Sequence, residues 1–276
     1  MKVKSQTGDS VDFDPEKLRR SLLSSGASMS VVDDILQRLT EEVYEGITTR
    51  NIYKKAYSLL KKNANFHAAR YNLKTAIHLL GPTGFYFEQY IAKIFESEKY
   101  EVKMNVTLQG RCVSHEVDVL VKKNDRIAMI ECKFHVSQEA ASDVKVPMYI
   151  LSRYNDLNQV NHKVFSQKDE ISECWIATNN RFTTDAIDFA ACSGIKLLSW
   201  DYPKDNSIKV KNYRDCLYPV TCLTTITLAE KEKLLALGVI LARDLTTSPE
   251  RLAQIKISPK RVKNIVKEVT ELCKCF

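Results

Sequence analysis

The stretch HEVDVLVKKNDRIAMIECKFH, residues 115–135, constrains this chain more than any other. Two apolar runs flank the polar Lys122–Asp125 segment, a pattern that reads as two strands joined by a tight turn. Side chains alternate faces along a strand, so Val117, Val119 and Val121 are expected on one face and Glu116 and Asp118 on the other. In the second strand Glu131 and Lys133 share a face, opposite Ile130 and Cys132. A hairpin can therefore bring Asp118, Glu131 and Lys133 together at one sheet edge.

Two carboxylates make a hard oxygen site suited to Mg²⁺ or Mn²⁺. A metal held there polarises a phosphate and lowers the pKa of a bound water. A lysine alongside can orient that water or stabilise charge on phosphorus. The plainer reading is a hairpin with a solvated polar face, on which Glu and Lys two apart are common. Against it, Asp118 sits inside VDVLV and Glu131 inside AMIECKF. Acids in apolar runs are costly unless they bind something.

Around this hairpin the chain reads as three segments. The first is a small hairpin, turning at Gly8, followed by helices. Asp14-Pro15-Glu16 marks a helix start. Further helices are expected over Val31–Tyr44, Arg50–Lys62 and Asn65–Leu80. Gly81-Pro82-Thr83-Gly84 breaks the pattern. A helix with Phe87, Ile91, Ile94 and Phe95 on one face opens the second segment. Strands are expected over Val102–Leu108, Glu116–Val121, Arg126–Phe134, Glu173–Thr178 and Ile195–Trp200. A mostly helical stretch is expected over Gln138–Asn155, with Pro147 kinking or ending it, and a helix over Thr184–Cys192. That order gives a mixed sheet flanked by helices. After the polar Asp201–Ser207 linker, the third segment is all helical, with turns at Gly238 and Ser258-Pro259. The expected domains are 1–82, 83–207 and 218–276.

D-(x)n-E-x-K at the ends of adjacent strands is the signature of the PD-(D/E)xK nuclease superfamily, and the middle segment resembles its Mrr-type restriction endonuclease branch. The Gly84-Phe85-Tyr86-Phe87-Glu88 helix start and TNNRFTTDAIDFAACSGIKLLSW are similar to other parts of that family, over about residues 84–205. The resemblance implies Asp118 and Glu131 as metal ligands, the Cys132 carbonyl as a further ligand and Lys133 as the catalytic lysine. Glu88 would hold metal through water, as the family's first-helix glutamate does; otherwise it is a surface residue. His115, His135 and Gln138 are substrate or solvent contacts rather than catalysts. Thr178-Asn179-Asn180 is assigned no chemistry; Thr183 or Thr184 caps a helix and Phe182 is core.

The first segment resembles an ATP-cone, through Val3, Gly8, Phe13-Asp14, Lys17-Leu18, Tyr44–Thr49, Ile52 and Ala68–Tyr71. That resemblance implies ATP or dATP as a regulatory ligand, with Lys17 and Thr49 at binding positions and Lys4 one place off. Ser5-Gln6 stand where the family has a Lys-Arg pair. The third segment resembles a helix-hairpin-helix module, with LLALGVILARDL and LAQIKISPKRVKNIVKEV as its two helical pairs and Gly238 for close approach to phosphate.

The formal net charge of +7 agrees with a polyanionic partner without requiring one. The eight cysteines form no C-x-x-C pair, so a zinc ribbon is not expected. No apolar run approaches the roughly 18 residues that span a bilayer. The opening MKVKSQTGDSVDFD has no apolar core and is not expected to be a signal peptide, which points to the cytoplasm. The expectation is a multidomain α/β protein: a metal-dependent endonuclease on double-stranded DNA, acting as a homodimer or higher oligomer. The alternative is a nucleotide-sensing or nucleic-acid-binding regulator on a retired nuclease fold.

Overall fold

The structure is a computed structural model that describes residues 2–5 and 8–274, so Gln6 and Cys275 lie outside the described residues. The chain divides into two compact units, 1–76 with 218–276, and 77–217. The first and third segments of the sequence thus belong to one unit.

In that unit β1 (Lys2–Lys4) pairs antiparallel with β2 (Ser10–Asp12). α1 (Pro15–Leu23) starts as expected: Asp14 accepts from the N–H groups of Glu16 and Lys17, and proline occupies the first turn. α2 (Met29–Glu42), α3 (Thr49–Asn63), α4 (Asn65–Tyr71) and α5 (Leu73–His78) follow. The single helix expected over Asn65–Leu80 is interrupted at Asn72. There the Tyr53 hydroxyl bonds the Tyr71 carbonyl oxygen (3.2 Å) and the Asn72 side-chain oxygen (2.9 Å), a tertiary contact that competes with helix continuation. Leu22, Val32, Ile35, Leu39, Ile52 and Leu60 form the core of this bundle.

The second unit opens with α6 (Phe85–Ser97), whose Phe87, Ile91, Ile94 and Phe95 are all buried. β3 (Glu101–Gln109), β4 (Ser114–Lys123) and β5 (Arg126–Lys133) form an antiparallel meander. Lys123 pairs with Arg126, leaving Asn124-Asp125 as a two-residue turn in which Asn124 takes φ +53°. β6 (Ala141–Ser142) precedes α7 (Lys145–Leu157). β7 (Ile171–Thr178) lies parallel to β5. β8 (Arg181–Phe182) pairs with β6, and α8 (Thr184–Cys192) leads to β9 (Lys196–Leu198), parallel to β7. The sheet order is β3-β4-β5-β7-β9, a mixed sheet flanked by helices.

Two expectations need correction here. The stretch before Lys145 is not helical, and Pro147 neither kinks nor ends a helix. It sits in the first turn of α7, where its missing N–H has no intrahelical partner to lose. The segment after the expected linker also forms a helix, α9 (Ile208–Asp215). Its sequence IKVKNYRD is too polar to announce a buried face. Yet Lys211 is buried against Glu98, and Asn212 donates to the Tyr90 hydroxyl.

The third segment is helical: a short turn at Val220–Cys222, then α10 (Leu228–Ala236), α11 (Asp244–Thr247), α12 (Glu250–Gln254) and α13 (Pro259–Leu272). Three polar contacts join it to the first segment or close it on itself. Arg70 of α4, almost fully buried, donates to the carbonyls of Leu272 (2.8 Å) and Lys274 (3.0 Å), where a cation also complements the C-terminal dipole of α13. The Thr221 hydroxyl donates to the Ala76 carbonyl at 2.6 Å. Buried Glu268 accepts the N–H of Thr224 (2.7 Å), the N–H of Thr225 (3.0 Å) and both threonine hydroxyls. Among the described residues no helix is long and apolar enough to cross a membrane.

Removing Glu268 leaves the two part-buried N–H donors of Thr224 and Thr225 unpaired. Glu268→Ala should lower unfolding free energy by about 2–3 kcal/mol, read from the urea midpoint. An unchanged midpoint would show that this carboxylate does not hold the loop to α13.

Candidate active site

The sheet forks where the acidic residues stand. β4 pairs with β5 from the turn only as far as Val119↔Ile130. Beyond that point β4 stays with β3 to Ser114↔Gln109, and β5 stays with β7 to Lys133↔Thr178. The next pair in the broken ladder would be Asp118 opposite Glu131. Opposed carboxylates about 4 Å apart repel by about 4 kcal/mol at an effective dielectric near 20, against about 1 kcal/mol net for a ladder hydrogen bond. The repulsion wins and the strands part. The Cys132 N–H, which the missing ladder leaves over, donates instead to Asp118 Oδ2 at 2.7 Å.

A second irregularity lies across from Asp118. Asn105 of β3 has φ +52° and is skipped in the register, which runs Met104↔Val119 and then Val106↔Val117. The strict alternation expected for β4 breaks here: Val117 and Leu120, three residues apart, join the same core cluster, with Met129 and Ile176. Val117, Val119 and Val121 therefore do not share one face. The local distortion sets Asp118 at the fork and brings the Asn105 amide to Glu88 Oε2 at 3.3 Å.

Glu88, in the first turn of α6, is half-buried. Burial raises its pKa, and Asp118 and then Glu116 add to the effect, while the Asn105 amide opposes it. Asp118 is raised chiefly by burial, opposed by the Cys132 N–H and Arg153. Glu131 is pushed up to about 7, by burial first and by Asp118 second, against the pull of Arg153. Lys133 is exposed and also draws Asp118 and Glu131 down. The half-buried Cys132 thiol is held well above its usual range by desolvation and by Asp118, Glu88 and Glu131. The structure thus gathers Asp118, Glu131, Lys133, Cys132 and Glu88 at one fork.

Sequence reasoning missed Arg153. It reaches from α7, with Nη1 2.5 Å from Glu131 Oε2 and Nη2 donating to the Glu116 carbonyl. Its guanidinium lies over the Tyr149 ring, 5.8 Å from the centroid. The only sequence signal was an arginine one helical turn after a tyrosine. The contact itself spans 22 positions.

The other candidates have structural partners. His115 Nε2 lies 2.8 Å from Asp156 Oδ2, and Asp156 also takes the N–H groups of Cys112 (2.9 Å) and Val113 (3.2 Å). These bonds, led by that from His115, hold the Asp156 carboxyl well below the usual range. They fasten the end of α7 to the β3–β4 turn. His135 meets the Ser142 hydroxyl at 2.9 Å, and its N–H donates to Asn179 Oδ1 at 2.8 Å. Asn179 Nδ2 donates to the His135 carbonyl (2.8 Å), and Asn180 Nδ2 to those of Ser137 (2.7 Å) and Ala140 (3.0 Å). The Thr178-Asn179-Asn180 run therefore moors the loop after Lys133, which also carries Gln138. Thr183 caps α8, accepting from the Ala186 N–H at 3.3 Å, and Phe182 is core, as expected.

In the other unit, Lys4 donates its N–H to the Ile47 carbonyl (2.9 Å) and bridges Thr48, so Lys4 and Thr49 are neighbours at the start of α3. Lys17 stands on α1, a separate element, and all three are exposed.

Among the described residues no group of three or more His, Cys, Asp or Glu is arranged to hold a metal ion. The donor set at the fork nonetheless fits a hard cation. Two carboxylates of raised proton affinity face a common space, and one is already neutralised by a guanidinium. Mg²⁺ keeps several waters and needs only one or two protein carboxylates.

A forked mixed sheet ending in carboxylates and a lysine defines a restriction-endonuclease-like domain, and the restriction endonuclease family matches residues 80–202. The family described as AF1548-like, C-terminal, matches residues 218–273. An uncharacterized protein of Archaeoglobus fulgidus is 32% identical over 183 residues, 66% of this chain and 99% of that protein. The crystal structure of AF1548, a protein of unknown function, is 31% identical, covers 68% of this chain and 97% of that one, and superposes with a TM-score of 0.56. The chain belongs to the AF1548-like family.

With Glu131 pushed up to about 7, a divalent ion held there would have to displace its proton. Mn²⁺ affinity, measured by calorimetry, should fall about tenfold for each pH unit below 7. A carboxyl raised on folding stabilises the metal-free fold while protonated, and that stability is lost as pH rises through about 7. Metal-free protein should therefore lose more stability between pH 6 and pH 8 than Glu131→Gln does, and Mg²⁺ should narrow that difference. A pH-independent Mn²⁺ affinity would rule out Glu131 as a ligand.

Proposed function

We propose that this chain is a divalent-metal-dependent endonuclease that hydrolyses DNA phosphodiester bonds at the fork between β4 and β5. The observation that carries this reading is the parting of the two strands, which leaves Asp118 and Glu131, both of raised proton affinity, beside Lys133. Asp118, Glu131 and the Cys132 carbonyl would hold Mg²⁺ or Mn²⁺, with Glu88 acting through water. When bound, such an ion supplies a Lewis acid for the phosphate and a water of lowered pKa. Lys133 Nζ donates to the attacking water or to a non-bridging phosphate oxygen as charge builds there. The loop moored by Asn179 and Asn180 fixes the backbone just beyond Lys133.

The flanking segments extend the proposal. Residues 218–276 act as a helix-hairpin-helix-like module on double-stranded DNA. In support, Gly238 follows α10 at φ +77°, a conformation that suits close approach of amides to phosphate. Lys256 at φ +65° holds the matching place between α12 and α13, so a cation replaces the glycine there. The ATP-cone-like segment, 1–82, takes ATP or dATP as a regulatory ligand through Lys4, Lys17 and Thr49. The neighbouring positions of Lys4 and Thr49 support this, while Lys17 lies apart on α1. Cutting both strands calls for a homodimer, and the working compartment is the cytoplasm. A second reading, a nucleic-acid-binding regulator that does not cleave, draws on one observation: Glu131 is committed to Arg153.

The deciding experiment incubates the full chain with modified and unmodified DNAs, with Mg²⁺ or Mn²⁺, and with or without ATP and dATP. Cleavage should require the metal and fall about 10²–10³-fold in Asp118→Ala and in Lys133→Ala. Cleavage that survives both substitutions would sink the nuclease assignment. Metal-dependent binding with no cleavage under any condition would favour the regulator.

A further inference from the structure

Arg153 lies outside the carboxylate–lysine motif, yet it makes the closest polar contact in the fork. Its side chain is 12% exposed, while Tyr149 beneath it is 64% exposed. The guanidinium spends one arm on Glu131 Oε2 and the other on the Glu116 carbonyl, and its face rests on the Tyr149 ring. Glu131 is half-buried next to Asp118, so a cation is needed there even before any metal arrives.

A divalent ion bound to Glu131 competes directly with that guanidinium for the carboxylate. Once displaced, Arg153 still has the Glu116 carbonyl and the exposed Tyr149 ring to keep it at the mouth of the fork. The Nη1 arm, with its two N–H donors, is then free to donate to the phosphate oxygens of a phosphodiester. We propose that Arg153 stands in for the divalent cation at Glu131 and passes to a phosphate of the nucleic acid when the cation takes its place. This rests on the reading of Asp118 and Glu131 as metal ligands of a nuclease. It makes Arg153 a substrate-binding residue, with metal loading as the step that releases it.

The test uses the full chain, with Arg153→Met removing the charge at similar length and Arg153→Lys keeping it. Circular dichroism checks that each is folded. By calorimetry at pH 8 and low salt, Arg153→Met should bind Mn²⁺ about tenfold more tightly than wild type, because no internal cation competes. By fluorescence anisotropy in Ca²⁺, the same variant should bind a duplex oligonucleotide about tenfold more weakly. Arg153→Lys makes a single-point contact in place of the fork, so each effect should be about threefold. Should Arg153→Met fail to fold, the lysine variant decides alone.

Unchanged or weaker Mn²⁺ binding in a folded variant overturns the stand-in. Tighter Mn²⁺ binding with unchanged duplex affinity overturns the transfer to phosphate. The nuclease reading fails separately: wild type that binds Mn²⁺ and duplex but never cleaves would retire it, while both Arg153 effects could still be measured and would still support the proposal. Conversely, an enzyme that cleaves but whose Arg153→Met variant shows neither effect retires the proposal alone.

Discussion

Asp118 and Glu131 would meet as the next rung of the β4–β5 ladder, and two partly buried carboxylates cannot share a rung in their charged forms. Much of the second unit follows from how that conflict is relieved. The strands separate, the Cys132 amide turns to Asp118, and Arg153 comes in from α7 to neutralise Glu131. Burial first, and for Glu131 the neighbouring Asp118 second, make both hold protons more tightly than ordinary carboxylates. A site with surplus negative charge and an exposed lysine at its rim suits a hard cation and a phosphate together.

The surrounding fold holds both sides of the fork in place. Asp156, three residues after Arg153, clasps the β3–β4 turn through two amides and His115. The approach is close: a Cβ on Gly110 would lie 2.2 Å from Asp156 Oδ2. α7 is thereby fixed against the strand that carries Asp118, and Arg153 is delivered from it. On the far side, Asn179 and Asn180 spend their amides on the loop after Lys133, so the end of β5 continues along a defined path. Hydrogen bonds from the buried Asn179 and Asn180 amides hold this backbone where an apolar core alone would not specify it.

The other unit uses the same device at a different scale. Arg70 closes α13 and the Thr221 hydroxyl reaches the Ala76 carbonyl, so polar side chains bind the first and third segments into one body, while Glu268 gathers two threonines within the third. These residues sit in helices whose apolar stripes already account for their folding. Their role emerges only when the two segments meet.

The apolar period of two in residues 115–135 and the period near 3.6 in α6 determined the hairpin and the helix beneath it, because burial of one face is encoded locally. Asp118, Glu131, Lys133 and Glu88 could be picked out from spacing and from acids standing in apolar runs. Helix starts at Asp14 and Thr183 were equally local, each fixed by one side-chain oxygen and nearby amides. The tertiary structure alone decided the rest. Alternation failed at Asp118 because Asn105, on another strand, entered the left-handed region opposite it. Tyr53 interrupted the helix at Asn72 from another helix. α9 buried Lys211 and Asn212 because Glu98 and Tyr90 were there to pair with them. Arg153 entered the site across 22 positions of sequence, and a contact between residues that distant leaves no period or spacing to read: the fold creates it by setting α7 beside the fork.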